Sequence, residues 1–179
     1  MLSSRFLLFL TVLLVYYSQD VHSATTISFE NTESKYISKT NSPVESIINV
    51  SGLNAPLSFY TLITLQIWVA HTYNSDLIIR LYGPDGSYIT LSNQRGSSYD
   101  NVFDGTLFTD SAPNSVSIYS FSKNGVVSPL RPEEPFSNFR GKYPNGQWKL
   151  WINDDFSQDD GHLYGFILNI QGFFYFHFF

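Results

Sequence analysis

The stretch Tyr143–Ile170, YPNGQWKLWINDDFSQDDGHLYGFILNI, decides the fold. Pro144, Asn145 and Gly146 reverse the chain, because proline pre-sets its own φ while asparagine and glycine tolerate positive φ. From Trp148 the residues alternate: Trp148, Leu150 and Ile152 share one face, and Lys149, Trp151 and Asn153 the other. That period of two marks a half-buried strand. The loop Asn153–Gly161 that follows holds four carboxylates, too many to sit together unless water or a cation compensates them. A second strand then runs to Ile170. Leu163 is out of phase with Phe166, Leu168 and Ile170, so the spacing predicts a β-bulge near Gly165, where the missing side chain admits an extra residue.

The same alternation recurs upstream. Glu45–Leu53 reads as the first firm strand. In Phe59–Tyr73, residues Ile63, Leu65, Ile67, Val69 and His71 form a core face, and Thr64, Gln66, Trp68 and Ala70 an outer one. Leu77, Ile79 and Leu81 alternate with Ile78, Arg80 and Tyr82 before Gly83-Pro84-Asp85-Gly86, a turn that closes a hairpin onto Tyr88–Ser92. Val116–Phe121 reads as a further strand, followed by the Pro-rich link Pro129–Pro135. Thr25–Ser42 is polar and weakly patterned, and reads as a lead-in with a short edge strand around Tyr36 and Ile37. Abundant Tyr, Phe, Ile and Val, punctuated by Gly, Pro, Asn and Asp, belong to an all-β domain.

Four ordered blocks carry a resemblance. They are His71-Thr72-Tyr73 leading to Asp76-Leu77; Asp100-Asn101 with Thr106-Leu107-Phe108-x-Asp110-x-Ala112; Pro135-Phe136-Ser137-x-Phe139-x-Gly141; and Asn145-Gly146-x-Trp148-x-Leu150, Asp154-Asp155, Asp160-Gly161-x-Leu163. Together they resemble the P domain (P/Homo B), the β-sandwich that accompanies the catalytic domain of kexin- and furin-like subtilases. Two departures stand out: Gly83 where the family has serine before its turn proline, and Thr109 where it has an acid. The resemblance implies an antiparallel β-sandwich of jelly-roll (galactose-binding-like) type with about eight strands. It also implies a non-catalytic module that supports the folding, stability and calcium or pH response of a subtilisin-like catalytic domain. Three arrangements stay open: a partner acting on such a domain in trans, a stand-alone binding module, or a piece of a longer protease.

Residues 1–23 read as a signal peptide, with Arg5, the apolar run Phe6–Tyr17 and small residues near Ser23; the run is too short for an ordinary membrane span. The expected organisation is therefore a signal at 1–23, a lead-in at 24–42, one sandwich at 43–172 and an apolar tail at 173–179, in a secreted protein. With no cysteine, the core or a bound ion must supply what disulfides would. The formal charge of −5, without clustered lysine and arginine, argues against nucleic acid as a partner.

No catalytic residues are expected. The sequence lacks a Gly-x-Ser-x-Gly elbow, and no motif sets a serine beside His71, which reads as a packed or hydrogen-bonded residue at a strand end. Zinc is disfavoured because its usual histidine or cysteine clusters are missing. Calcium suits the chemistry better, since it takes six to eight oxygen ligands and Asp76, Asp100, Asn101, Asp110, Asp154 and Asp155 all fall at or beside strand ends. The same residues also serve as ordinary turn formers, and Asp159 and Asp160 read as turn and solubility residues. Trp68 and Trp151, on the outer faces of their strands, are candidates to stack on sugar rings, whereas Trp148 reads as core. That supports an alternative function, a calcium-dependent or carbohydrate-binding adhesion module. Asn49 heads the sequon Asn49-Val50-Ser51, of a kind often left unused within a strand.

Overall fold

A computed structural model describes residues 24–173. The signal sequence and the Phe-rich tail beyond Phe173 lie outside the described residues. Nine strands occur among these: β1 (Thr25–Asn31), β2 (Lys35–Ser38), β3 (Val44–Val50), β4 (Leu62–His71), β5 (Leu77–Tyr82), β6 (Tyr88–Asn93), β7 (Phe103–Thr109), β8 (Gly146–Asp154) and β9 (Asp160–Gly172). One sheet runs β1-β9-β4-β7, with β2 also pairing β9; the other runs β3-β8-β5-β6. All of these pairings are antiparallel, and the two sheets pack as the expected β-sandwich.

The core follows the alternation in the sequence. Ile63, Leu65, Ile67 and Val69 of β4 face Leu77, Ile79 and Leu81 of β5 and Trp148, Leu150 and Ile152 of β8, all buried. The Trp148 indole N–H donates to the Pro144 carbonyl at 2.7 Å and its ring meets Phe139 edge-on, so the turn and the core are fixed by one side chain. Gly83 accounts for one departure from the family pattern. A Cβ there would lie 3.1 Å from Phe139 Cε1, so its absence gives the ring room.

The bulge in β9 sits where the phase slip placed it. Trp68 pairs Gly165 and Val69 pairs Leu163, leaving Tyr164 as the extra residue. Gly165 adopts φ +152°, and a Cβ would approach Asn31 O to 2.6 Å. The position therefore excludes other residues twice, by conformation and by space.

Two expectations differ from the structure. Thr25–Ser38 is no mere lead-in: β1 pairs β9 from Thr25↔Gly172 to Asn31↔Phe166, turning Ile27 and Phe29 toward the core. Val116–Phe121 is not a strand. The amides of Ile118 and Tyr119 fold back on the Ser115 carbonyl, so only Val116, Tyr119 and Phe121 point inward. The segment after it closes the open side of the sandwich. Val127 and Leu130 bond along β7, while the amides of Glu133 and Glu134 bond to Leu91 and Thr90 of β6. The two carboxylates then take the Asn93 and Thr90 amides, which leaves β6 no bare edge to pair with another chain.

Candidate functional site

Strand β4 has two unlike ends. At its C-terminal end His71 enters the core, followed by a tight turn to Asp76 and β5. Asp154 arrives beside it from the end of β8. The His71 ring is buried: Nδ1 lies 2.9 Å from the Tyr73 carbonyl oxygen, and Nε2 is 3.6 Å from Asp154 Oδ2. Asp154 is 0% exposed and its Oδ1 accepts the Phe156 amide, while Oδ2 has no hydrogen-bond partner. Asn74 donates from Nδ2 to the carbonyls of His71 and Tyr99, and its buried Oδ1 is likewise unpartnered. Asp76 is only 7% exposed. Burial, and after it the neighbouring Asp154 carboxylate, push its pKa above the ordinary carboxylate value. A shallow hollow of about 520 Å³ opens over this end, bordered by Tyr73, Asp76, Gln94, Phe156 and Asp159.

Five of the six candidate ligands gather here, with different engagements. Asp154 keeps one oxygen without a hydrogen-bond partner, 3.6 Å from a His71 Nε2 that is likewise unpartnered, and Asp76 is the acid whose pKa is raised. Asn101 spends its Oδ1 on the His71 amide, Asp100 exchanges hydrogen bonds with Asn124, and Asp155 accepts from Asn153 and Gln94. Asp110 lies at the opposite end of the sandwich, where its two oxygens cap the amides of Phe136 and Ser137 at 2.8 and 3.1 Å; it cannot share an ion with the rest. Among the described residues no three His, Cys, Asp or Glu side chains converge as metal ligands. The oxygen donors that fit calcium in kind are the Asp76 and Asp154 carboxylates and Asn74 Oδ1, which in the sequence is indistinguishable from an ordinary turn residue.

The N-terminal end of β4 is aromatic. Phe59, Tyr60, Leu62 and Tyr143 are 72%, 73%, 58% and 68% exposed. The loops that carry them are held together by Leu57 N–H to Lys142 O and Gly141 N–H to Leu57 O, and the Arg140 guanidinium lies 4.5 Å over the Phe59 ring. Asn145 fixes the neighbouring loop by bonding both the amide and the carbonyl of Leu53. Single exposed apolar residues are ordinary, but four together on tied loops form a patch that water does not favour.

The tryptophans part company. Trp68 stands half-buried on the outer face of the five-stranded sheet. Trp151 lies on the outer face of the other sheet, where Arg80 is held 5.0 Å from its ring and 4.9 Å from Tyr88. Asn49 is exposed on β3, at the edge of that same sheet.

The two-sheet antiparallel sandwich thus has an acidic, His-bearing end and an aromatic end. The chain belongs to the proprotein convertase P-domain family, whose model matches residues 61–170. It is 30% identical over 141 residues to leupeptin-inactivating enzyme 1 of Streptomyces exfoliatus, covering 76% of this chain and 24% of that protein. In fold it is similar to the serine protease of Aeromonas sobria, at 16% identity and TM-score 0.51, covering 90% of this chain and 29% of that one. The same protease in complex with the chaperone ORF2 gives TM-score 0.52, again at 16% identity and over 90% and 29% of the two chains. The chain spans about a quarter of the length of these relatives.

Proposed function

We propose that this chain is a secreted, non-catalytic P domain that docks on a subtilisin-like serine protease domain through its aromatic end, stabilising that domain for proteolysis or proprotein processing. The exposed cluster of Phe59, Tyr60, Leu62 and Tyr143 carries this reading, because aromatic anchors on ordered loops are what protein interfaces bury. The family match supports it. His71 fits a structural role: a fully buried ring between the Tyr73 backbone and Asp154 offers no cleft in which to act as a base. Affinity capture from the secretions of the source organism tests the proposal. A subtilisin-like protease should co-elute with the wild-type chain and be lost with the double variant Phe59→Ser, Tyr60→Ser. Retention by the double variant, or the absence of any such protease, would refute it.

One specific observation favours a second element, calcium. At the end of the sandwich that holds the raised Asp76 carboxyl, Asp154 Oδ2 and Asn74 Oδ1 are buried without hydrogen-bond partners, and buried acceptors of that kind are costly unless another group completes them, as a cation would. Bound calcium would supply the positive charge there. The chain's own residues set the turn and hold the oxygens in place. An ion bound only by the folded state raises the melting temperature. Calcium should therefore raise it and chelator lower it, with the response lost in Asp154→Asn.

A further inference from the structure

We propose that Arg80, on the outer face of the four-stranded sheet, anchors an acidic segment of a partner polypeptide by taking an aspartate or glutamate carboxylate on its guanidinium. This goes beyond the docking role, which uses the loops at one end of the sandwich. The two surfaces share no residue, although the Lys142–Asp85 pair joins the turn after Tyr82 to the loop that carries Tyr143.

The surroundings of Arg80 follow from strand order. Strand β5 lies between β8 and β6, so Arg80 has Trp151 directly across on one side and Thr90, with Tyr88 two residues along, on the other. Its guanidinium carbon lies 5.0 Å from the Trp151 ring and 4.9 Å from the Tyr88 ring. Aromatic faces attract a cation but bring no oxygen to accept from its N–H groups. Lys35, Arg95, Lys142 and Lys149 each pair with a carboxylate. Among the described residues Arg80 forms no ion pair, and its Nε is buried without a hydrogen-bond partner. A half-buried guanidinium with its donors unanswered is costly, and a carboxylate answers them.

Charge, geometry and the neighbouring rings select the ligand. The outward charged residues of these four strands are Glu45, Lys149 and Arg80. Glu45 and Lys149 answer each other at 2.7 Å, which leaves Arg80 as unmatched positive charge on a chain of formal charge −5. One such cation suits a carboxylate and not a nucleic-acid backbone, which needs a cluster. Of its three nitrogens only Nε is both buried and unpartnered, so an acid meets the terminal nitrogens end-on. Two parallel N–H donors there match the two oxygens of a carboxylate. Trp151 and Tyr88 each give a face to Arg80, and Tyr82 gives one to Lys149 at 4.9 Å. The rings therefore serve to hold the cations, and the open feature of the surface is the guanidinium fork rather than a platform for sugars. Tyr88 and Ile47 are 46% and 40% exposed on this face, and tryptophan, tyrosine and arginine are the residues on which protein interfaces most depend.

An array of acidic peptides probed with the full chain tests this, each peptide printed beside its isosteric amide form, glutamine for glutamate and asparagine for aspartate, with polygalacturonate as the sugar arm. Hits are titrated in solution by fluorescence anisotropy. At least one acidic peptide should bind, and its amide form about tenfold more weakly or worse. Arg80→Gln should weaken the same peptide about tenfold or more, and Arg80→Lys nearly as much, because a point charge lacks the fork. Lys35→Gln on the other sheet should leave binding unchanged. Thermal melts establish folding, and Arg80→Lys decides the matter if Arg80→Gln does not fold. The proposal is overturned if no acidic peptide outbinds its amide form, if binding survives Arg80→Gln or Arg80→Lys, or if polygalacturonate alone binds. It is overturned equally if Arg80→Gln abolishes capture of a protease, which would make this face part of the docking interface. Loss of capture in the Phe59→Ser, Tyr60→Ser variant bears on the docking role alone.

Discussion

Gly165→Ala probes the bulge that joins three strands, and its cost divides into two parts. The first is conformational: φ +152° is a region that residues with a side chain occupy only under strain of about 1–3 kcal/mol. The second is steric, because the new Cβ would lie 2.6 Å from Asn31 O and 3.1 Å from Thr32 Cα, both backbone atoms that move only if β1 shifts off β9. Overpacking of this kind costs about 1–3 kcal/mol, so the total is about 2–6 kcal/mol. In a domain of this size each kcal/mol lowers the melting temperature by about 2–4 °C, giving a fall of about 4–24 °C. Gly125→Ala is the matched control, since Gly125 has φ +99° with nothing within 4 Å of its would-be Cβ, and bears the first part alone. Differential scanning calorimetry of both variants reads the difference. Equal shifts would show that the contact with Asn31 carries no weight and that β1 is not seated as described.

Asp76→Asn should stabilise the ion-free domain at neutral pH. Asp76 has a raised folded-state pKa, so the folded chain holds this proton more tightly than the unfolded one. Its contribution is therefore greatest below the ordinary 3.8 and is lost as pH rises through the folded value. Melts in chelator should show the advantage of the Asp76→Asn variant over wild type shrinking as pH falls toward 3.8; a constant gap would contradict the burial argument. Asp110→Asn should leave any calcium response intact, because Asp110 caps Phe136 and Ser137 at the other end; a lost response would place the ion elsewhere. Trp148→Ala should cost about 3–5 kcal/mol, read by urea denaturation, since it removes both a buried ring and the bond to Pro144; a loss under about 1 kcal/mol would show that this ring does not tie the turn to the core.

The sandwich is legible in the sequence wherever burial on one side imposes a period of two over six or more residues. Strands β4, β5 and β8 meet that condition, and in β9 the slip between Leu163 and Phe166 locates the bulge to within a residue. Strand β1 is hidden because only Ile27 and Phe29 turn inward, and its partner lies about 140 residues away. The stretch Val116–Phe121 misleads for the converse reason. Its apolar residues are buried by a turn on Ser115, and apolar content alone does not separate a turn from a strand. The acidic end is readable as a set of strand-end acids, yet nothing local says which end of a sandwich such an acid occupies, so Asp110 falls in with residues it never meets. Asn74 is invisible as a donor because its oxygen is orphaned only once the fold has buried it and committed its Nδ2 to the His71 and Tyr99 carbonyls.

Engagement of a protease by the aromatic end is the central claim. Capture with wild-type chain and with Phe59→Ser, Tyr60→Ser, each checked for an unchanged melting temperature, puts this to a single measurement. The prediction is a subtilisin-like protease bound by the first and released by the second. A purified chain that hydrolyses peptides unaided, or one that captures no such protease, would contradict it.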